Sequence, residues 1–214
     1  MEERLEKYLY KKYPELFKNE SKSSKETRMC WGCSCGDGWF FLLDNLCSNI
    51  TKYITRQHEM VKYYDDLEKK GRYENPDVAY FRPTEYNLKV HQVHFDQIKE
   101  KFGRLRIYYT GGDDKIMNMI DLVENLSESI CEECGKFDFS IGRTQKGWIR
   151  SLCRECSESD EKEREWKQTS PELEELFKLA MKDKEENKDK RLDLAIQKLK
   201  ELELRDKKNE TISC

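Results

Sequence analysis

Apolar positions recur along the chain with two periods, and each period predicts its own elements. Leu5, Tyr8 and Leu9 share one face of a short helix over residues 1–13, and Pro14 ends it because its ring cannot continue the helical ladder. The polar stretch Lys18 to Arg28 reads as a loop. Trp39, Leu43, Leu46, Ile50, Tyr53, Ile54 and Gln57 then fall on one helical face, and Met60, Val61, Tyr64 and Leu67 carry it on to Gly71. Asp37 is the expected N-cap. Such a helix would be about 50 Å long, so a break between Arg56 and Glu59 is an equal reading.

The period then changes. Asn75 to Thr84, with two prolines, reads as a loop. Tyr86 to Ile98 is rich in Val, Phe, Tyr and His, and Arg104 to Tyr109 alternates polar and apolar residues as a half-buried strand does. With Gly103 between them they predict a β-hairpin, which Gly111 and Gly112 end. Asp113 should cap a helix whose stripe is Ile116, Met119, Ile120, Val123, Leu126 and Ile130, and this helix delivers the chain into Cys131. Beyond Cys156, Thr169-Ser170-Pro171-Glu172 is a capping box. Two helical stripes follow it, Leu173 to Met181 and Leu192 to Leu202.

These elements predict an α+β fold, mostly helical, with one β-hairpin, a four-cysteine zinc ribbon and charged C-terminal helices. The expected divisions are a helical and hairpin core over residues 1–130, the ribbon over 131–157, and a charged helical hairpin over 158–214.

Composition narrows the function classes. Of 214 residues, 39% are charged and 36% hydrophobic, with mean hydropathy -0.98. No apolar run reaches the roughly 18 residues a transmembrane helix needs, and the N-terminus lacks the apolar core of a secretory signal. The expectation is a cytoplasmic protein with no membrane partner. The formal charge of -3 argues against a basic nucleic-acid coat. Charge is concentrated at the end, where 31 of the 58 residues from Ser157 to Cys214 are ionic, so that segment has little with which to build a core.

The nine cysteines carry the chemistry. Without an export signal they should be reduced, which favours metal binding over disulfides. Cys131-Glu-Glu-Cys134 and Cys153-Arg-Glu-Cys156 are two C-x-x-C knuckles separated by 18 residues, a spacing typical of four-cysteine zinc sites. Each knuckle sets two thiolates on one side of a tight turn, and a short hairpin lined by Phe137, Phe139, Ile141, Trp148 and Ile149 would bring the knuckles together. Four soft ligands close a tetrahedron around one structural Zn²⁺. Cys30, Cys33 and Cys35 form a looser group, read as ligands of a second metal completed by Cys47 or by one of His58, His91 and His94, as structural thiols with Cys47, or as oxidation-sensitive surface thiols. His91 and His94, three apart on a strand, should face opposite ways.

Lys99, Lys101, Arg104 and Arg106 on the hairpin, and Arg143, Lys146 and Arg150 on the ribbon, are candidate contacts for nucleic acid or a partner protein. Gly111-Gly112-Asp113-Asp114 reads as a capped turn, because two carboxylates already sit at the helix's positive end. No catalytic motif and no small-molecule site emerges, so the expectation is a protein that is not an enzyme.

YKKYPELF at Tyr10 to Phe17, CGDGWFFLLDNLC at Cys35 to Cys47, QIKEKFGRLRIYYTGGDD at Gln97 to Asp114, and CEECG at Cys131 to Gly135 occur in this order. The arrangement resembles a group of small zinc-ribbon proteins encoded by bacteriophages and prophages, and the likeness spans roughly residues 1–157. The group's usual form has glycine at the place of Arg104 and fewer cysteines before Gly36. The resemblance implies a bacterial host cytoplasm as the setting and brings no activity with it. The expected function is binding and modulation of a bacterial host protein or nucleoprotein, for instance inhibition of a defence system such as CRISPR. The alternative is a nucleic-acid-binding regulator.

Overall fold

Pro14 sets the first boundary. Helix α1 spans Glu3–Lys12 and buries Leu9. Tyr13 then leaves helical geometry, with φ -130° and ψ 57°, as a residue before proline is driven to do. The second helix, α2, is one unbroken run from Phe40 to Lys69, about 45 Å long. It contains no glycine or proline, so nothing breaks it between Arg56 and Glu59. Trp39, Leu43, Leu46, Cys47, Ile50 and Ile54 are buried. Beyond Ile54 no described side chain of α2 is buried, so its last turns run past the core. Asp37 does not cap it. A 3-10 turn over Asp37–Trp39 leads in, and the Asp37 carboxylate instead accepts the Glu2 backbone N–H at 2.6 Å.

The computed structural model describes residues 1–70, 90–137, 140–145, 147–159 and 165–169, together with Glu175 and Lys178. The C-terminal helical stripes and the capping box at Thr169 to Glu172 therefore fall largely outside the described residues. Met1–Thr169 forms one compact unit and Ser170–Cys214 another. In the first, four α-helices and two three-stranded sheets are described, a mixed α+β fold. No described helix is long and apolar enough to cross a membrane.

The first sheet runs in the order β1 (Cys33–Ser34), β2 (His91–Glu100), β3 (Leu105–Gly112). β1 is parallel to β2, and β2 and β3 form the expected antiparallel hairpin. Gly111 and Gly112 are the last two residues of β3, inside the ladder. A register shift between Phe95 and Gln97 leaves Asp96 as an extra residue on β2. The bulge moves burial from Val93 and Phe95 to Ile98 and Glu100, which a period of two alone would not allow. It also ties down the 19–28 loop. The Asp96 carbonyl accepts the Arg28 N–H and the Thr27 hydroxyl, and its carboxylate accepts the Asn19 amide and the Thr110 hydroxyl.

Helix α3, Asp114–Leu126, starts as expected, with the Asp113 carboxylate accepting the N–H groups of Lys115 and Ile116 at 3.1 Å. It buries Ile116, Ile120 and Val123 and covers the free edge of β3. Glu124 accepts the Ile107 N–H at 2.8 Å and an Arg106 N–H at 2.6 Å, while the Ser127 hydroxyl accepts the Leu105 N–H at 2.9 Å. Side chains thus occupy an edge that would otherwise pair with another strand. Glu124→Ala orphans a buried amide and a guanidinium, so stability in urea unfolding should fall by about 2 kcal/mol. Glu124→Gln should lose less, because its amide oxygen can still accept the Ile107 N–H. A fall within error of zero for the alanine variant would mean that water replaces the carboxylate.

The second sheet, ordered β5-β4-β6, joins β4 (Gly142–Thr144), β5 (Ser151–Leu152) and β6 (Trp166–Gln168), both outer strands antiparallel to β4. β4 and β5 are the short hairpin expected between the knuckles. β6 comes from beyond residue 157 and has no sequence signal. The helix α4, Arg154–Glu158, follows the second knuckle. The lobe's small core holds Cys131, Ile141, Leu152 and Cys153, with Trp166 packed on it. Phe137, expected in that lining, is 66% exposed, and Trp148, read both as lining and as exposed or half exposed, is 63% exposed.

Candidate metal centre

Two tight turns bring the cysteines together. At the first, an isolated bridge pairs Ile130 with Phe137, and the Gly135 N–H returns to the Cys131 carbonyl at 2.9 Å. At the second, the Cys156 N–H points to the Cys153 sulfur at 3.5 Å. The Sγ atoms of Cys131, Cys134, Cys153 and Cys156 all lie within 4.8 Å of one another. All four are free thiols rather than disulfides. Among the described residues no other such cluster of potential ligands occurs.

The donor set fits a metal ion. Four thiolates at about 2.3 Å from a tetrahedral zinc would sit about 3.8 Å apart, and the Cys134 and Cys153 sulfurs are 3.8 Å apart. Electrostatics agree. Burial and the neighbouring thiols push Cys153 up to about 11 and Cys156 higher still. Burial opposes ionisation at Cys134 too, but the Lys136 N–H and the adjoining thiols donate to its sulfur and bring it below the usual thiol value. Burial thus opposes loss of the proton at Cys153 and Cys156, and a cation between the sulfurs would offset it. The residues could hold a metal ion, and four protein ligands leave it no open position.

The first knuckle is seated on the loop before α2. The Gly38 N–H donates to the Glu132 carbonyl at 2.8 Å, the Gly36 N–H to the Glu132 carboxylate at 3.1 Å, and the Trp39 indole to the Ile130 carbonyl at 3.1 Å. A Cβ on Gly36 would lie 2.1 Å from the Glu132 carbonyl oxygen, and one on Gly38 2.1 Å from that of Cys131. Gly36-Asp37-Gly38 is therefore a socket for the knuckle backbone. The hairpin tip meets the same lobe from the other side, where the Ser151 hydroxyl donates to the Gly103 carbonyl at 2.5 Å. Glu132 itself is buried beside Arg150, and burial pushes its carboxyl up to about 7 despite that arginine.

The N-terminal cysteines do not gather into a comparable site. Cys33, Cys35 and Cys47 belong to the main hydrophobic core, and burial pushes all three thiols well above their ordinary value. That is the behaviour of protonated core residues. The Cys30 thiol donates to the Thr27 carbonyl at 3.3 Å. None of the histidines joins them: His58 faces the Val90 carbonyl at 3.3 Å and His94 the Glu15 carbonyl at 2.7 Å, while His91 is exposed.

The basic candidates are engaged within the molecule. Arg104 and Arg143 share Glu128 at 3.2 and 2.8 Å, Arg106 pairs with Glu124, and Arg150 with Glu132 and Glu133. Lys99 sits over the Tyr108 ring and Lys101 over Phe102. Lys146 is outside the described residues. The acidic partners Glu124 and Glu128, on α3 and the turn after it, carry no signal in the sequence beyond their i, i+4 spacing, which hints at a shared face.

Compared with known proteins, the chain matches no family model, no curated protein and no solved structure.

Proposed function

We propose that the chain is a non-enzymatic binding protein whose surface is shaped by one structural zinc ion held by Cys131, Cys134, Cys153 and Cys156. The observation that carries this reading is the closed four-sulfur cluster, whose soft donors suit zinc and leave no place for a reacting water. The ion's contribution would be to crosslink two turns, so that the lobe can present side chains it has too small a core to hold rigid by itself. The resemblance of residues 1–157 to phage and prophage proteins supports a bacterial host as the setting. The target is then a host protein or nucleoprotein, and inhibition of a defence complex such as CRISPR is one form that binding could take. The internal pairing of Arg150 with Glu132 and Glu133 weighs against a broad nucleic-acid face on the ribbon.

Tagged full-length chain, zinc-loaded, should recover one stoichiometric protein or nucleoprotein from a bacterial lysate. Chelation should abolish that recovery. Capture of chaperones alone, or unchanged capture after complete zinc removal, would contradict the reading.

A further inference from the structure

The hairpin tip, the end of α3 and β4 enclose a groove of about 580 Å³. Among the described residues its walls carry Lys101, Arg104, Arg106 and Arg143 against two carboxylates, Glu124 and Glu128, four cations to two anions. Arg104 and Arg143 divide a single carboxylate between them, so this pair keeps a positive charge after pairing. Their Nε–H groups have no acceptor among the described residues. Two aromatic rings edge the same groove, Phe102, 66% exposed, and Tyr108, 46% exposed.

Phe102 is in the wrong place for stability. Lys101 and Arg104 exchange backbone hydrogen bonds around a two-residue turn, and both turn residues have positive φ, 59° at Phe102 and 72° at Gly103. A turn of this kind prefers Asn-Gly. A bulky side chain in the left-handed region is a genuine outlier, and this one buries little in return. Strain kept at an exposed aromatic points to use.

We propose that this groove binds single-stranded nucleic acid, with bases stacking on Phe102 and Tyr108 and the phosphate backbone following Lys101 and the Arg104–Arg143 pair. Flat exposed rings beside an excess of positive charge are what sequence-tolerant strand binding requires. An acidic peptide would use the charge and leave the rings unexplained. Binding here is separate from capture of a host protein, and either can fail without the other.

The test is fluorescence anisotropy of short labelled oligo-dT and oligo-U with the zinc-loaded full chain, at about 50 and about 200 mM salt. Binding should weaken steeply as salt rises, because phosphate contacts release counterions. Phe102→Asn should hold or raise the thermal midpoint, since it suits the turn, while weakening binding about tenfold or more. Lys101→Ala should lower the salt slope by about one. Preference for oligo-U assigns RNA and preference for oligo-dT assigns DNA, and either result supports the groove. Absence of binding at the lower salt, or F102N binding like the wild type, overturns the proposal. So does displacement of the oligonucleotide by oligo-glutamate as effectively as by unlabelled strand.

Discussion

Cys134→Ser should release the metal ion and unfold the lobe that runs from Cys131 through β6. The reason is the size of the core there. Among the described residues, four buried hydrophobic ones, two of them cysteines, form the core of this region, while metal binding to comparable small domains is worth about 10–16 kcal/mol. Binding free energy in such a lobe is folding free energy, so loss of one ligand in four removes much of what orders it. Cys134 is exposed, and serine is smaller than cysteine, so packing loss cannot explain the result. Metal analysis should find less than stoichiometric zinc, and hydrogen exchange should show protection lost in 131–137 and 142–152. Protection in the middle of α2 and in β2 should persist, because their buried residues belong to the larger cluster. Full zinc occupancy in this variant would contradict the ligand assignment.

Gly38→Ala should have the next largest effect. The added methyl would lie 2.1 Å from the Cys131 carbonyl oxygen and 2.4 Å from the Gly135 nitrogen. Both are backbone atoms of the knuckle, and neither can retreat without dragging a ligand cysteine. Gly38 is not among the residues with positive φ, so the glycine is required for space and not for conformational freedom. Overpacking of a well-fitted contact costs about 1–3 kcal/mol and more when backbone must move, so about 3 kcal/mol is expected, with weaker zinc retention against a chelator. Gly147→Ala is the control, since a Cβ there meets nothing within 4 Å and only its positive φ resists. Equal stability of the two alanine variants would show that the knuckle does not sit in this socket.

What could be read from the sequence followed from local rules. Asp113 caps its helix because a carboxylate before an apolar stripe can reach the amides two and three residues on, and Gly103 turns the hairpin because the flanking strands alternate around it. The knuckles pair because their spacing leaves little else for four thiols to do. What could not be read depends on contacts between distant segments. Gly36 and Gly38 look like chain punctuation until a knuckle nearly a hundred residues later is laid against them. Asp37, a sound N-cap by position, is drawn away by the Glu2 amide. The arginines of the hairpin look like an open basic patch until α3 supplies Glu124 and the following turn Glu128, which pair with them and neutralise part of its charge. Phe137 looks like ribbon lining, yet it is exposed, and Trp166, from a stretch read as charged tail, packs on that core instead. β6 is too short and too polar to announce itself.

X-ray absorption at the zinc edge on the purified chain, with metal quantified on the same sample, is the most direct measurement. One zinc per chain surrounded by four sulfurs at about 2.3 Å is expected. Nitrogen or oxygen in the first coordination sphere, or no metal with Cys131, Cys134, Cys153 and Cys156 joined as disulfides, would contradict a closed structural site.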